Sequence, residues 1–225
     1  MRKQIVGLFC LCVFGLLAAG VGSADTILLN VSGCTAGCGP DNPFATVTLT
    51  QFGSGTSAYV QVDESLGPNE VFSISAGKEA LEFNVEGAGT ISITNINDTT
   101  DFGVVAGPYT AAPFGTFLDA VGCTTCSGGS SNNDAGPLMF DVSSASGVTI
   151  ADFDNLSTLP PGGTQAYFAS DIAYINPITG ATSTGDVGAT SFTQTPVIPE
   201  PPSLVLLGTG LLLLAGAFKA KMLLA

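Results

Sequence analysis

Two close pairs of cysteines are the residues of this sequence best suited to form a chemical site. Cys34 and Cys38 are separated by three residues, and Cys123 and Cys126 are separated by two. These thiols can form two local disulfides, or two bridges that tie the first loop to the second. The same spacings also suit tetrahedral coordination of a structural zinc ion by four thiolates. The glycine- and serine-rich sequence after Cys126 predicts no helix that would activate a thiol, which argues against a redox-active pair.

Two short acidic segments carry oxygen ligands of the kind that calcium binds. One segment contains Asp152, Asp154 and Asn155, and the other spans residues 131–134 (SNND). Carboxylate and amide oxygens with small, flexible neighbours suit calcium, although neither segment has the spacing of an EF-hand. We therefore treat both as calcium candidates, with solvated loop residues as the alternative. No other cofactor is expected.

The absence of two residue types restricts the chemistry that this chain can perform. The sequence contains no histidine, which excludes serine–histidine and cysteine–histidine catalysis and most catalytic zinc sites. Carboxylate catalysis would remain, but no pair stands out among the many acidic residues. The sequence also lacks tryptophan, so stacking on a sugar would depend on its four tyrosines. These are Tyr59, Tyr109, Tyr167 and Tyr174. We predict that the protein is not an enzyme.

The elements that must position these residues are predicted to be short β-strands. Residues 70–75 (EVFSIS) and 90–94 (TISIT) alternate between apolar and polar residues. Such alternation, with many β-branched residues, is typical of half-buried strands. Eleven such segments, among them 45–52, 148–153 and 165–172, predict a single all-β domain over residues 25–192, a β-sandwich of jelly-roll or immunoglobulin-like kind. The glycine-rich stretches 106–115 and 128–136 are predicted loops, and residues 193–198 a linker.

Charge is distributed very unevenly along the chain. Residues 25–198 contain seventeen of the 18 acidic residues. Lys78 is the only one of the five basic residues in this range, so the net charge of the range is −16. A surface of this kind repels nucleic acid and anionic lipid headgroups. We therefore expect no nucleic-acid partner.

The first 24 residues have the three parts of a secretory signal peptide. Arg2 and Lys3 form a positive start, residues 5–21 are apolar, and a small-residue stretch ends at Ala24. This pattern predicts export and cleavage by signal peptidase after Ala24. Export leads to an oxidising compartment, which favours disulfides over zinc for the four remaining cysteines.

The last 27 residues have the features of a membrane-spanning tail. Pro199, Glu200 and Pro201 precede an uncharged apolar run over residues 204–218, and Lys219 and Lys221 follow it. Residues 204–218 form the predicted transmembrane helix, which reaches across a hydrocarbon core of about 30 Å if the apolar end through residue 225 is included. The lysines favour a cytoplasmic C-terminus. The body is then expected to lie outside the cell.

This ordered pattern of a Pro-Glu-Pro motif, an apolar helix and a basic end resembles the PEP-CTERM sorting signal. The segment has also been described as an ice-binding-protein C-terminal motif, which names the tail and not an activity. In that family an exosortase, a membrane cysteine peptidase, recognises the tail. Family tails usually end in an arginine-rich cluster, whereas here two lysines are followed by MLLA.

The resemblance implies an exported protein of the cell surface or extracellular matrix, and the missing catalytic set adds the expectation that it is not an enzyme. Its expected partners are signal peptidase, an exosortase-type membrane peptidase and exopolysaccharide. The precursor is expected to pass transiently through the inner membrane as a single-span protein. The alternatives are a carbohydrate-binding module and a carboxylate-dependent glycan hydrolase at the cell surface.

Overall fold

A computed structural model describes residues 23–34, 36–73, 79–127, 133–159 and 162–193. Within these ranges the chain forms β-strands and short 3-10 turns and no α-helix, which confirms the predicted all-β class. None of the described residues belongs to a helix long and apolar enough to cross a membrane. Two predicted segments lie outside the described ranges: the transmembrane helix over residues 204–218 and the part of the signal peptide before Ser23.

The described residues form fourteen strands. In chain order they are β1 (Ser23–Leu29), β2 (Val31–Ser32), β3 (Ala45–Phe52), β4 (Tyr59–Leu66), β5 (Glu70–Phe72), β6 (Glu79–Phe83), β7 (Ile91–Thr94), β8 (Phe102–Val104), β9 (Tyr109–Ala111), β10 (Gly115–Phe117), β11 (Asp119–Cys123), β12 (Leu138–Ser144), β13 (Phe168–Ile175) and β14 (Thr182–Ala189).

The strands pair into two open sheets and one hairpin. Sheet A has five strands in the order β1-β3-β4-β12-β7. Sheet B has seven strands, in the order β2-β14-β13-β6-β11-β8, with β5 also paired to β13. Strands β9 and β10 form a separate hairpin. All of these pairs are antiparallel, so each sheet can carry one face in the core and another face in solvent.

Side-chain alternation explains why sheet A has one apolar and one polar face. In β3 the residues Ala45, Val47 and Leu49 are buried, whereas the threonines between them are partly exposed. Strand β12 repeats the pattern, with Phe140 buried and Asp141 partly exposed. Successive side chains of a strand point to opposite faces, so this period of two places the polar set on one outer surface.

The two sheets share one apolar core, in which Phe83 is a central residue. Its ring, from sheet B, lies 5.7 Å from that of Phe140 on sheet A. Phe153 and Phe168 are its other aromatic neighbours, at 5.7 and 6.2 Å. Buried residues of both sheets belong to this one cluster. Two open sheets with a common core are consistent with a β-sandwich.

A second, smaller cluster lies on the other face of sheet B. There Ala169 of β13 packs with Phe114 and Phe117 of the hairpin segment. Strand β13 is therefore buried on both faces along most of its length. This explains why its sequence, FASDIAYI, lacks the polar alternation of the sheet A strands.

Two local predictions are wrong. The predicted strand at 148–153 contains a 3-10 helix over Ile150–Phe153, whose start is fixed by hydrogen bonds between Thr149 and Asp152. The predicted loop at 106–115 contains β9 and the first residue of β10. These strands have three residues each, so they are too short to give a clear periodic signal.

Candidate functional site

The four cysteines within the described residues are joined in two local disulfides. One links Cys34 to Cys38 and the other links Cys123 to Cys126, each with a Cα–Cα distance of 5.3 Å. This resolves the alternatives left open by the sequence in favour of local pairing. No thiolate of these four remains to bind zinc.

Both disulfides pack into the protein interior. Cys38 and Cys123 are fully buried, Cys126 is nearly so, and Cys34 is half-buried. The first bridge closes a turn in which the amide of Gly37 donates to the carbonyl of Cys34 at 3.1 Å. Attack by an external thiol requires access to a sulfur, so this burial argues for a structural role.

The calcium candidates Asp152, Asp154 and Asn155 lie around the 3-10 helix. One carboxylate oxygen of Asp152 accepts hydrogen bonds from the amide and the hydroxyl of Thr149, at 2.8 and 2.9 Å. The Asn155 side-chain amide donates to the backbone carbonyl of Asp152 at 2.9 Å. Asp154 is exposed. Asp152 and Asn155 thus make local contacts that stabilise this turn.

The second acidic segment contributes to a cluster that the sequence did not predict. Asp134 lies beside Asp98 and Asp101, with one oxygen of each within 4.8 Å of the others. Hydrogen bonds already hold each carboxylate, from the amides of Thr100 and Gly136 and from the hydroxyl of Thr125. These contacts account for the arrangement, so the geometry alone does not indicate a cation.

Four further carboxylates lie together on sheet B. Asp171 and Asp186 are directly opposite each other in the β13–β14 pair. Glu79 and Glu82 belong to the adjacent strand β6. Glu82 is only 3% exposed, and one of its carboxylate oxygens has no hydrogen-bond partner.

The pKa values of two members of this group, Glu82 and Asp186, are raised. Burial, reinforced by the charges of Asp186, Glu79 and Asp171, raises the pKa of Glu82 to about 9. Burial also raises the pKa of Asp186 to about 7, with Asp171 adding to the effect and the backbone amide of Ala112 opposing it. Both side chains therefore hold protons at a pH where most carboxyls are ionised. A general acid must lie within hydrogen-bond reach of the substrate, and Glu82 is too deeply buried for that.

Glu64 is a separate buried acid, located between the sheets. Its side chain is fully buried, and neither carboxylate oxygen has a hydrogen-bond partner within 3.5 Å. Burial raises the pKa of Glu64 well above its usual value, the effect of nearby Ser170 being smaller and opposite. That hydroxyl donates instead to the carbonyl of Ala80 at 2.7 Å. Burial of Glu64 thus favours its neutral form.

The four tyrosines differ in their accessibility. Tyr109 is buried, and Tyr167 packs on Phe192 with ring centroids 5.4 Å apart. Tyr174 covers Gly39 so closely that a side chain there would collide with its ring. Tyr59 instead borders an open groove on sheet A. Among the candidates for sugar stacking, Tyr59 thus adjoins a groove formed by described residues.

The sorting motif Pro199, Glu200 and Pro201 and the basic residues Lys219 and Lys221 lie outside the described residues. Their assignment therefore stays a prediction from the sequence.

Comparison of the chain with known protein families, with characterised proteins and with solved structures finds no match.

Proposed function

We propose that this chain is an exported, non-enzymatic protein of the cell surface or extracellular matrix, sorted through a C-terminal signal of the PEP-CTERM type. The observation that carries the proposal is the order of features in the sequence, from a signal peptide to a Pro-Glu-Pro motif, an apolar run and two lysines. The two disulfides support it, because such bonds persist in oxidising compartments.

The body between the two ends is, in this proposal, a single β-sandwich of jelly-roll or immunoglobulin-like kind. The shared core of sheets A and B supports this architecture. Signal peptidase removes residues 1–24, and the body then remains outside while residues 204–218 span the inner membrane. Lys219 and Lys221 hold the far end in the cytoplasm.

The Pro-Glu-Pro motif has physical properties that suit recognition by a membrane peptidase. Pro199 and Pro201 restrict φ and lack an amide N–H, so the segment favours an extended backbone over a helix. Peptidase clefts generally bind extended chains. Glu200 is the only charged residue between Asp186 and Lys219, so it stands out from a neutral background. An exosortase-type peptidase would read this charge and cleave the tail.

The test is to change Glu200 to Ala in a host that has the peptidase. We expect export to continue, but the protein to remain in the inner membrane with its tail intact. Deleting residues 204–225 should instead release the body, unsorted, into the periplasm or medium. Tail length is measured by mass spectrometry in the membrane and released fractions.

A matched control is Gln194→Ala, a polar change in the linker outside the motif, which should be processed like the original chain. A surface-located wild-type protein that still carries Lys219 and Lys221 would show that the tail is a plain anchor. Normal cleavage of the Glu200→Ala variant would remove the role given to the motif.

A further inference from the structure

We propose that the groove on the outer face of sheet A binds a neutral saccharide chain. The groove has a volume of about 390 Å³ and lies over strands β4, β12 and the end of β7. Small-ligand sites commonly occupy roughly 300–1,000 Å³. The inference concerns the body of the protein and does not depend on the sorting route proposed above.

An aromatic pair borders one end of this groove. Tyr59 on β4 is directly opposite Phe52 on β3, and their rings stack with centroids 5.1 Å apart. Phe52 is 37% exposed, which is unusual for a large apolar side chain in a body whose other phenylalanines are mostly buried. Stacked aromatic rings at a surface offer a flat platform for the C–H face of a sugar ring.

The floor of the groove carries a carboxylate fixed in position by two amides. Asp141 on β12 accepts a hydrogen bond from the Asn95 side chain at 2.7 Å and a longer one from Gln61 at 3.4 Å. Each contact uses a different carboxylate oxygen, so both oxygens keep the capacity to accept from a ligand hydroxyl. Thr94 and Ser143 add hydroxyls to the lining. Such a set of fixed acceptors and free hydroxyls suits a polyhydroxylated ligand.

Asn95 reaches the groove because of its backbone conformation. Consecutive side chains in a strand point to opposite faces, yet Thr94 and Asn95 both line the groove. Strand β7 ends at Thr94, and Asn95 adopts a left-handed φ of 54°. It is the one non-glycine residue with positive φ within the described ranges. Asparagine tolerates this conformation better than most residues, and strained backbone often accompanies ligand contacts.

Charge selects among saccharides. The described residues include neither lysine nor arginine, and the groove itself contains the carboxylate of Asp141. An acidic saccharide would meet this carboxylate and the negative body without a cation to pair with. A neutral saccharide avoids that repulsion, and the polar lining does not favour an apolar ligand. Because the groove is open, an internal stretch of a chain can enter as well as its end.

The experiment uses the full chain, exported to the periplasm of a host without the sorting peptidase. It is extracted in a detergent without a sugar headgroup, since maltosides and glucosides could occupy the groove. The protein is applied to an array of neutral and acidic glycans. Neutral glycans of the array that retain the protein are then tested by calorimetry, as free hexamers in solution. We expect at least one neutral hexamer to bind with a Kd below about 1 mM.

Two substitutions test the location of binding. Tyr59→Ala should weaken binding about tenfold by removing the stacking platform. Asp141→Asn should weaken it by a similar factor, because an amide replaces one acceptor oxygen by a donor. The matched control is Asp63→Asn, the same chemical change on the same face of β4 but outside the groove. It should bind like the original protein.

Circular dichroism and melting curves establish that each variant is folded. If Tyr59→Ala does not fold, the comparison of Asp141→Asn with Asp63→Asn still decides the location. Retention of the protein by acidic glycans only, or by no glycan, would overturn the proposal. So would equal affinity of the groove variants and the original protein, or an equal loss in Asp63→Asn.

Discussion

Changing Glu82 to Gln should make the protein less sensitive to rising pH. Glu82 is almost fully buried on sheet B, and one of its oxygens has no hydrogen-bond partner. Glutamine has nearly the same shape as protonated glutamic acid but cannot ionise. The substitution therefore removes the titration of this site while it keeps most of the packing around strand β6.

The direction of this pH dependence follows from the pKa of Glu82 in the unfolded chain and in the folded protein. In the unfolded chain Glu82 ionises near its ordinary pKa of 4.5, whereas burial and the neighbouring acids raise its pKa in the folded protein to about 9. Below pH 4.5 both states are protonated and the full stability is present. Between pH 4.5 and 9 only the unfolded state releases the proton, so the free energy of unfolding falls as pH rises. Above pH 9 the loss is complete.

The expected magnitude is about 1.4 kcal/mol for each pH unit within that window. From pH 5 to pH 8, the gain in unfolding free energy from Glu82→Gln should therefore grow by about 4 kcal/mol. This is a large part of the 5–15 kcal/mol that is typical of a domain. The effect should be visible without any assay of function.

Urea unfolding at pH 5, 6, 7 and 8 measures this difference. The chain has no tryptophan, so circular dichroism is the suitable signal. The matched control is Glu86→Gln, the same chemical change at an exposed glutamate three residues after strand β6 ends, whose effect on stability should be small because the side chain lies in solvent. A Glu82→Gln effect that changes by less than about 1 kcal/mol over this range would refute the reasoning.

Two smaller predictions concern local contacts. Replacing both Cys34 and Cys38 by serine should lower the unfolding free energy by about 2 kcal/mol, since the closed loop is short; urea titration of the oxidised protein checks this, and no loss would contradict the disulfide. Replacing Asp152 by Ala removes the two hydrogen bonds from Thr149, and should cost about 1 kcal/mol, seen as a lower Tm. A variant Asp154→Ala, which alters an exposed neighbour, should leave Tm unchanged.

The all-β class could be predicted because sheet A follows the simplest rule for a half-buried sheet. The run ATVTLTQF alternates through all of β3, and the predicted strand coincides with the observed one over Ala45–Phe52. Sheet B was harder, because β13 is covered on both faces and its sequence shows no alternation. Its start was predicted at residue 165, three residues before the observed Phe168. Periodicity identifies a strand only where one face meets water.

The groove could not be predicted, because it depends on which strands become neighbours. Asp141 and Asn95 are 46 residues apart in the chain, and Gln61 is 80 residues from Asp141. Only the order β4-β12-β7 brings them together. The sequence could name Tyr59 as one of four tyrosines, but not distinguish it from Tyr109, which is buried.

The protonated acids, in contrast, follow from a feature that was visible in the composition. Residues 25–198 contain seventeen acids and only Lys78 as a base, so almost no carboxylate that folding buries can find an ion-pair partner. A buried carboxylate without a cation must either accept several hydrogen bonds or keep its proton. Burial shifts both Glu64 and Glu82 towards the second outcome, and each has at least one unpartnered oxygen. Each of these two acids therefore contributes more to the stability of the folded state at mildly acidic pH than at neutral pH.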